Sequence, residues 1–351
     1  MSIVSLQDYE QRARAGLQPA HYDYFVGGAQ NEVTVRENVA AFERIKLRPR
    51  VLRGSASCGL ASTLFDVPLS MPLVIAPTAF HCLAHADGER ATARATLEAG
   101  TMMIISMAST VAMEKIVAVA PEDQARRFCF QLYIQPDREF TLELIRRAEA
   151  SGCSALVVTV DSPVFGHRER DRRNQFFDLP DGLHCANLQV RNENSYRSIE
   201  FDPALSWSDI DWVCSSTRLP VVLKGIVHPE DAVRAIDHGA RAIMVSNHGG
   251  RQLDGVAATI ELLPAVAAAV AKRVPIILDG GIRRGTDILK ALALGATAVA
   301  IGRPVVWGLA VAGSSGVAEV LDFLKRDLLN ALLLVGCESL DQLDGGILFD
   351  E

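Results

Sequence analysis

The chain has 351 residues, 49% of them hydrophobic and 22% charged, which supplies a large buried core and excludes a disordered chain. Its net charge is −7, with 35 Lys and Arg scattered among 42 Asp and Glu, so it lacks the basic stripe that nucleic-acid binding requires. Seven cysteines without a CxxC pair read as reduced thiols and predict a cytoplasmic protein.

Taken in order, MSIVSLQDYEQRARAG lacks the apolar core of a signal peptide. Residues 1–60 carry helical patterns and the phrase HYDYFVGGAQ, which predicts an N-terminal extension folded onto one main domain that spans residues 1–351. Short β-branched runs bounded by turn residues follow: PLVIAP near 73, MMIIS near 102, FCFQLY near 128, ALVVTVD near 155, PVVLKG near 220, AIMVSN near 242, PIILDGG near 275 and TAVAIGRP near 297. Between most of them lie helical segments such as GERATARATLEAG, FTLELIRRAEASG, PEDAVRAIDHG and RGTDILKALALG, each ending in a glycine suited to a helix C-terminus. Near-continuous apolar strands alternating with helices describe a parallel sheet covered on both faces. Eight such units fit a (β/α)8 TIM barrel, and the GxGxxG of an open doubly wound sheet is absent.

The connection after the fourth strand is the longest. Within it, 178–205 is polar and irregular, which predicts a mobile lid over one end of the barrel. No apolar stretch is expected to span a bilayer, because the run from Leu263 to Val270 ends at Lys272 and Arg273. The C-terminal GGILFDE carries no peroxisomal or reticular address.

In such barrels the chemistry sits where strands end. Thr78 follows the first strand, Ser106 the second, Gln131 and Tyr133 the third, Thr159 and Asp161 the fourth, and Lys224 the fifth. Ser246, His248 and Arg251 follow the sixth, Asp279 and Arg283 the seventh, and Gly302 and Arg303 the eighth. The last two loops read as a phosphate site: Gly280 and Gly281 allow close backbone approach, Arg283 adds charge, and the following helix presents its N-terminal N–H groups. Duller readings stand beside these: Lys224 paired with Asp279, Asp161 capping a turn, Arg168 on a solvated helix face, Tyr24 as packing. His81 and His85 are taken as structural, and no Cys/His spacing suits a metal.

The segments SNHGGRQLD, LDGGIRRGTDILKALALGA, TVDSPVFGHRERDRRN and FQLY, with the Pro77-Thr78-Ala79 turn, together resemble the FMN-dependent α-hydroxy acid oxidases and dehydrogenases, from HYDYF at 21 to about Gly336. The resemblance implies that the bound phosphate belongs to FMN, held by Lys224, Ser246, Gln131, Thr159, Asp279 and Arg283, with Pro77, Thr78, Ala79, Ser106, Gly280, Gly281, Gly302 and Arg303 around it. It implies oxidation of an (S)-2-hydroxy acid to the 2-oxo acid, with oxygen as acceptor and hydrogen peroxide as product, in a homotetramer. Arg251 suits a substrate carboxylate, and Arg168 is the second clamp that the family implies.

His248 would take the proton, oriented by Asp161 on the neighbouring strand, with Lys224 placed to favour a reduced, anionic flavin. Tyr24 and Tyr133 match family positions that bind the substrate carboxylate or hydroxyl. Ala108 stands where glycolate oxidases carry a tryptophan, and Phe80, Met107 and Phe165 are expected to line the vacated space, which favours an aromatic or medium-chain acid over glycolate. The alternatives are a soluble dehydrogenase with an acceptor other than oxygen, another phosphate-binding barrel enzyme, or a non-enzymatic barrel.

Overall fold

The period of two along each apolar run decides the architecture. In a computed structural model that describes residues 3–54, 58–190 and 193–349, the eight runs form strands β1 (Leu73–Ile75), β2 (Met102–Ile105), β3 (Phe128–Leu132), β4 (Leu156–Thr159), β5 (Val221–Ile226), β6 (Ala242–Val245), β7 (Ile276–Asp279) and β8 (Ala298–Ile301). All are parallel, each pairs with its neighbour in chain order, and β8 closes onto β1 with Val299 opposite Leu73. This is the expected (β/α)8 barrel. Alternate residues divide between two cores. Met103, Ile105, Phe128, Phe130, Leu156, Val158, Ile243 and Val245 face the helices, while Met102, Ile104, Cys129, Val157, Val222, Met244 and Ile277 fill the barrel interior.

A hairpin of Ser62–Leu64 and Val67–Leu69 adds Leu64, Val67 and Leu69 to that interior core. Moving two residues further along the inward-facing rows, the sequence turns polar: Ser106, Gln131, Thr159, Lys224, Ser246 and Asp279. All six are buried, so the top layer of the barrel is polar although it is shielded from water.

The extension forms helices Leu6–Gly16, Pro19–Val26 and Val33–Arg44. Ser5 and Asp8 start the first with a capping box, which satisfies backbone N–H groups that the helix cannot. The third is fastened to the barrel wall, where Lys290 Nζ donates to the Phe42 carbonyl at 2.7 Å.

Two expectations need correction. One helix, Arg303–Leu334, is long and apolar enough to cross a membrane, which the sequence reading did not single out. Its apolar residues are explained by burial instead: Val305, Trp307, Val317, Leu321, Leu324 and Leu328 pack into the main core, and the helix breaks at Ala312 and Gly313. Among the described residues, the loop read as a mobile lid lines one end of the barrel and is pinned near its middle; its residues 191 and 192 lie outside the described residues. Asn187 is fully buried, donates Nδ2 to Ser109 Oγ at 2.8 Å and to the carbonyls of Ser106 and Met107, and accepts from the Met113 N–H at 2.8 Å.

Candidate active site

At the C-terminal mouth of the barrel lies a cleft of about 1070 Å³, lined from every strand end and roofed by the long loop. Its floor is the polar layer. Gln131 Oε1 accepts from the Met107 N–H at 3.2 Å, and Lys224 Nζ donates to Ser246 Oγ at 3.1 Å, with Asp279 Oδ2 at 3.8 Å. The sequence-level pairing of Lys224 with Asp279 is therefore present within the site. Burial raises the Asp279 carboxyl against the opposing pull of Lys224.

Several floor atoms have no partner among the described residues: Gln131 Nε2, Thr159 Oγ1 and Asp279 Oδ1. A buried polar atom left unpaired costs about 1–3 kcal/mol, so three at one cavity floor are expensive unless a ligand satisfies them. An amide donor, a hydroxyl, an ammonium and a carboxyl in one ring suit a flat heterocycle edged with both N–H groups and carbonyls. FMN fits this donor set.

His248 stands over the floor. His248 Nδ1 lies 2.7 Å from Asp161 Oδ1, and Ser162 Oγ, which the sequence reading overlooked, donates to the same carboxyl at 3.1 Å. Asp161 and His248 do not come from neighbouring strands as expected, because β5 runs between β4 and β6. Gly225 makes the crossing possible: a Cβ there would lie 2.5 Å from the Asp161 Cβ, and its φ of +108° suits glycine. Burial lowers the His248 pKa below its usual 6.5, although Asp161 opposes this. Burial would raise Asp161, but His248 and Lys224 outweigh it and hold the carboxyl below its usual range. A neutral imidazole therefore donates Nδ1–H to a charged carboxylate, with Nε2 as the basic atom.

The glycines of SNHGGRQLD follow from local geometry. His248, Gly249 and Gly250 have φ of +57°, +62° and +73°, and a Cβ on Gly250 would sit 2.8 Å from the Val35 backbone nitrogen. Beneath the turn, Asn247 and Asn38 exchange amide hydrogen bonds at 2.9 and 2.8 Å. Asn38 had no strand-end signal to reveal it, since it lies on an extension helix.

Two guanidinium groups complete the cleft. Arg251 Nη1 donates to the carbonyls of Tyr24 and Gly27 at 2.6 and 2.9 Å, and the group lies 4.9 Å from the Tyr24 ring centre. Arg168 is buried rather than solvated, 4.2 Å from the Phe165 ring centre, and its Nε has no partner among the described residues. Burial and the neighbouring Arg251 push Arg168 down to about 10. Two cations at one cavity mouth, one with an unpaired donor, call for an anion. Tyr24 and Tyr133 both line the same space, and burial raises each phenol.

Where the sequence reading expects a phosphate, Pro77, Thr78, Ala79, Gly280, Gly281, Arg283, Gly302 and Arg303 all line the cleft. The helix Gly285–Ala293 does not offer its N-terminus as expected. Asp287 Oδ2 accepts from the N–H groups of Arg283 and Arg284 at 2.9 Å each, and Asp327 Oδ2 accepts from Gly285 at 2.6 Å. Carboxyl groups of the protein already occupy that anion position. Arg303 in turn donates to the carbonyls of Phe25, Gly27 and Gly249, which ties the extension to the His248 turn, and burial pushes it down to about 9. Arg283 stacks 4.8 Å from the Trp307 ring centre.

Ala108, Phe80 and Phe165 line the cleft, but Met107 does not. Its side chain faces the helices, in the same row as Met103 and Ile105, and its Sδ accepts from the Tyr133 N–H at 3.4 Å.

The sequence matches the family described as FMN-dependent dehydrogenase over residues 13–350. It is 49% identical over 359 residues to L-lactate oxidase of Nostoc sp., covering 99% of this chain and 98% of that one. To 2-hydroxyacid oxidase 1 of Homo sapiens it is 45% identical over 356 residues, covering 97% and 95%. Mandelate oxidase solved with benzoyl-formic acid superposes with a TM-score of 0.91 at 43% identity, covering 100% of this chain and 99% of that one.

Proposed function

Because this chain belongs to the FMN-dependent dehydrogenase family, the group of the FMN-dependent α-hydroxy acid oxidases, we propose that it oxidises an (S)-2-hydroxy acid to the 2-oxo acid with oxygen as acceptor. The observation that carries this reading is the cleft in which a base backed by a carboxyl stands beside two buried guanidinium groups, above a floor of unpaired polar atoms. Gln131, Thr159, Lys224, Ser246 and Asp279 would hold the ring of FMN, and Gly280, Gly281, Arg283, Gly302 and Arg303 would surround its phosphate. FMN supplies a two-electron acceptor that oxygen can reoxidise, with hydrogen peroxide as product.

Arg251 and Arg168 bind the substrate carboxylate, which orients the carbon that carries the hydroxyl toward the floor. The carbonyls of Tyr24 and Gly27 fix the plane of Arg251, so little side-chain freedom remains to be lost when the carboxylate arrives. His248 Nε2 takes the hydroxyl proton, and Asp161 stabilises the imidazolium that forms. The Tyr133 phenol, kept protonated by burial, is placed as a donor to the same substrate oxygen.

Anaerobic addition of (S)-lactate or (S)-mandelate to the yellow protein should bleach it, and air should restore the colour with formation of peroxide. A protein that stays bleached in air would overturn the choice of acceptor. One that neither acid bleaches would overturn the reaction.

A substrate with a bulky apolar side chain is favoured by the wall that Ala108 shares with Phe80 and Phe165. Ala108→Trp should refill that space. The cost of overpacking, about 1–3 kcal/mol, corresponds to roughly a 5- to 150-fold loss in kcat/KM for (S)-mandelate with a much smaller loss for (S)-lactate. Equal losses for both acids would count against the assignment of this wall.

A further inference from the structure

We propose that Glu89 is a positioning residue that sets the shape of the substrate pocket's end wall, by tying the loop that carries Phe80 to the loop that carries Ala108. The proposal rests on the assignment of that wall above. Glu89 opens the helix Gly88–Glu98, is fully buried, and makes no ion pair among the described residues. A carboxyl group is costly to bury without a cation, so its hydrogen bonds must compensate.

They join two loops. Oε1 accepts from the His81 N–H at 3.1 Å, on the loop after β1, and from the Thr110 N–H at 2.8 Å, on the loop after β2. The Thr110 hydroxyl donates to the same carboxyl at 2.8 Å and accepts from the Cys82 N–H at 3.1 Å, which closes the link a second time.

The residue next to the first of these anchors is held in a strained form. Phe80 has φ of +65°, a left-handed conformation that a bulky side chain adopts only when its surroundings enforce it. Its N–H donates to the Ala108 carbonyl at 3.3 Å, and its ring stacks on Tyr24 with centres 5.2 Å apart. Both ends of that N–H···O contact belong to the wall. The Ala108 loop is also where the long roof loop is fastened, since Ala186 N–H donates to the Ser109 carbonyl at 2.9 Å. With the carboxyl removed, His81 loses its link to Thr110 and the two loops keep only the Cys82 N–H bond to the Thr110 hydroxyl and the Phe80 N–H bond to the Ala108 carbonyl, so Phe80 is held less firmly at positive φ. The aromatic wall would then shift, while the base and the guanidinium clamp stay on β4, β6 and the segment around 168.

The test compares the FMN-loaded wild type with Glu89→Gln, which keeps one acceptor oxygen, and Thr110→Val, which removes only the hydroxyl link. Steady-state kinetics with (S)-lactate and (S)-mandelate give the ratio of their kcat/KM values. The expected result is a shift of about tenfold in that ratio for either variant, carried by KM for mandelate, with kcat for lactate within about twofold and flavin content unchanged. A ratio that does not move, or an equal loss on both acids, overturns the proposal. The ratio is informative whichever acid the wild type prefers, so a wild type that favours lactate would defeat the large-substrate reading without deciding the role of Glu89.

Discussion

Replacing His248 with Gln is expected to lower the rate of anaerobic flavin bleaching by about 10²- to 10⁴-fold, the usual contribution of a positioned general base. The yellow colour should remain, because the atoms assigned to the cofactor belong to the barrel floor and the phosphate loops. Glutamine fills similar space and can still face Asp161, but it has no basic nitrogen to offer the substrate hydroxyl. The same assignment fixes a pH profile. Burial lowers the His248 pKa, so kcat/KM should fall tenfold per unit only below a point that lies under the ordinary imidazole value of about 6.5. Acid protonates Nε2 and removes the base, whereas Asp161, held below its usual range, stays charged through that window. A limb above about 6.5, or a His248→Gln protein that bleaches at the wild-type rate, would remove His248 from the reaction.

The second large effect belongs to Arg168. Arg168→Met keeps an unbranched chain against Phe165 while deleting the cation. Hydrogen bonds to charged groups contribute about 1.5–3 kcal/mol, which predicts a loss in kcat/KM of roughly 10- to 150-fold. The loss should appear mainly in KM, and the corresponding 2-hydroxy amide should be affected little, because it presents no charge to clamp. Arg168 is the sharper probe of the two cations: its one ion-pair partner among the described residues, Asp171, is 4.0 Å away, whereas Arg251 also holds the carbonyls of Tyr24 and Gly27. Similar losses on acid and amide would assign Arg168 to packing.

What the sequence made legible was whatever repeats or sits beside a repeat. The strands were readable because both faces are buried, and the polar layer because it interrupts inward rows at one height: Gln131 after Cys129, Thr159 after Val157, Lys224 after Val222. The same parity, applied to β2, would have placed Met107 outside the pocket with Met103 and Ile105. Asp287 gave no such signal, because Arg284 at the N-cap is not a residue that opens a capping box, yet its carboxyl accepts from the N–H groups of Arg283 and Arg284. What could not be read was long-range pairing. Asn38 and Asn247 lie 209 residues apart, and no periodicity connects them. The turning of Arg303 toward backbone carbonyls depends on where the extension lands, a property of tertiary packing.

That last contact constrains the order in which the molecule can assemble. Arg303 binds the carbonyls of Phe25 and Gly27 across separations of 278 and 276 residues, so the extension helices find this partner only after β8 has been made. Contacts that distant slow folding, because a long loop must close before any of them forms. Throughout synthesis the nascent extension must therefore wait beside an unfinished barrel, and the His248 turn takes its working shape only when the two chain halves meet.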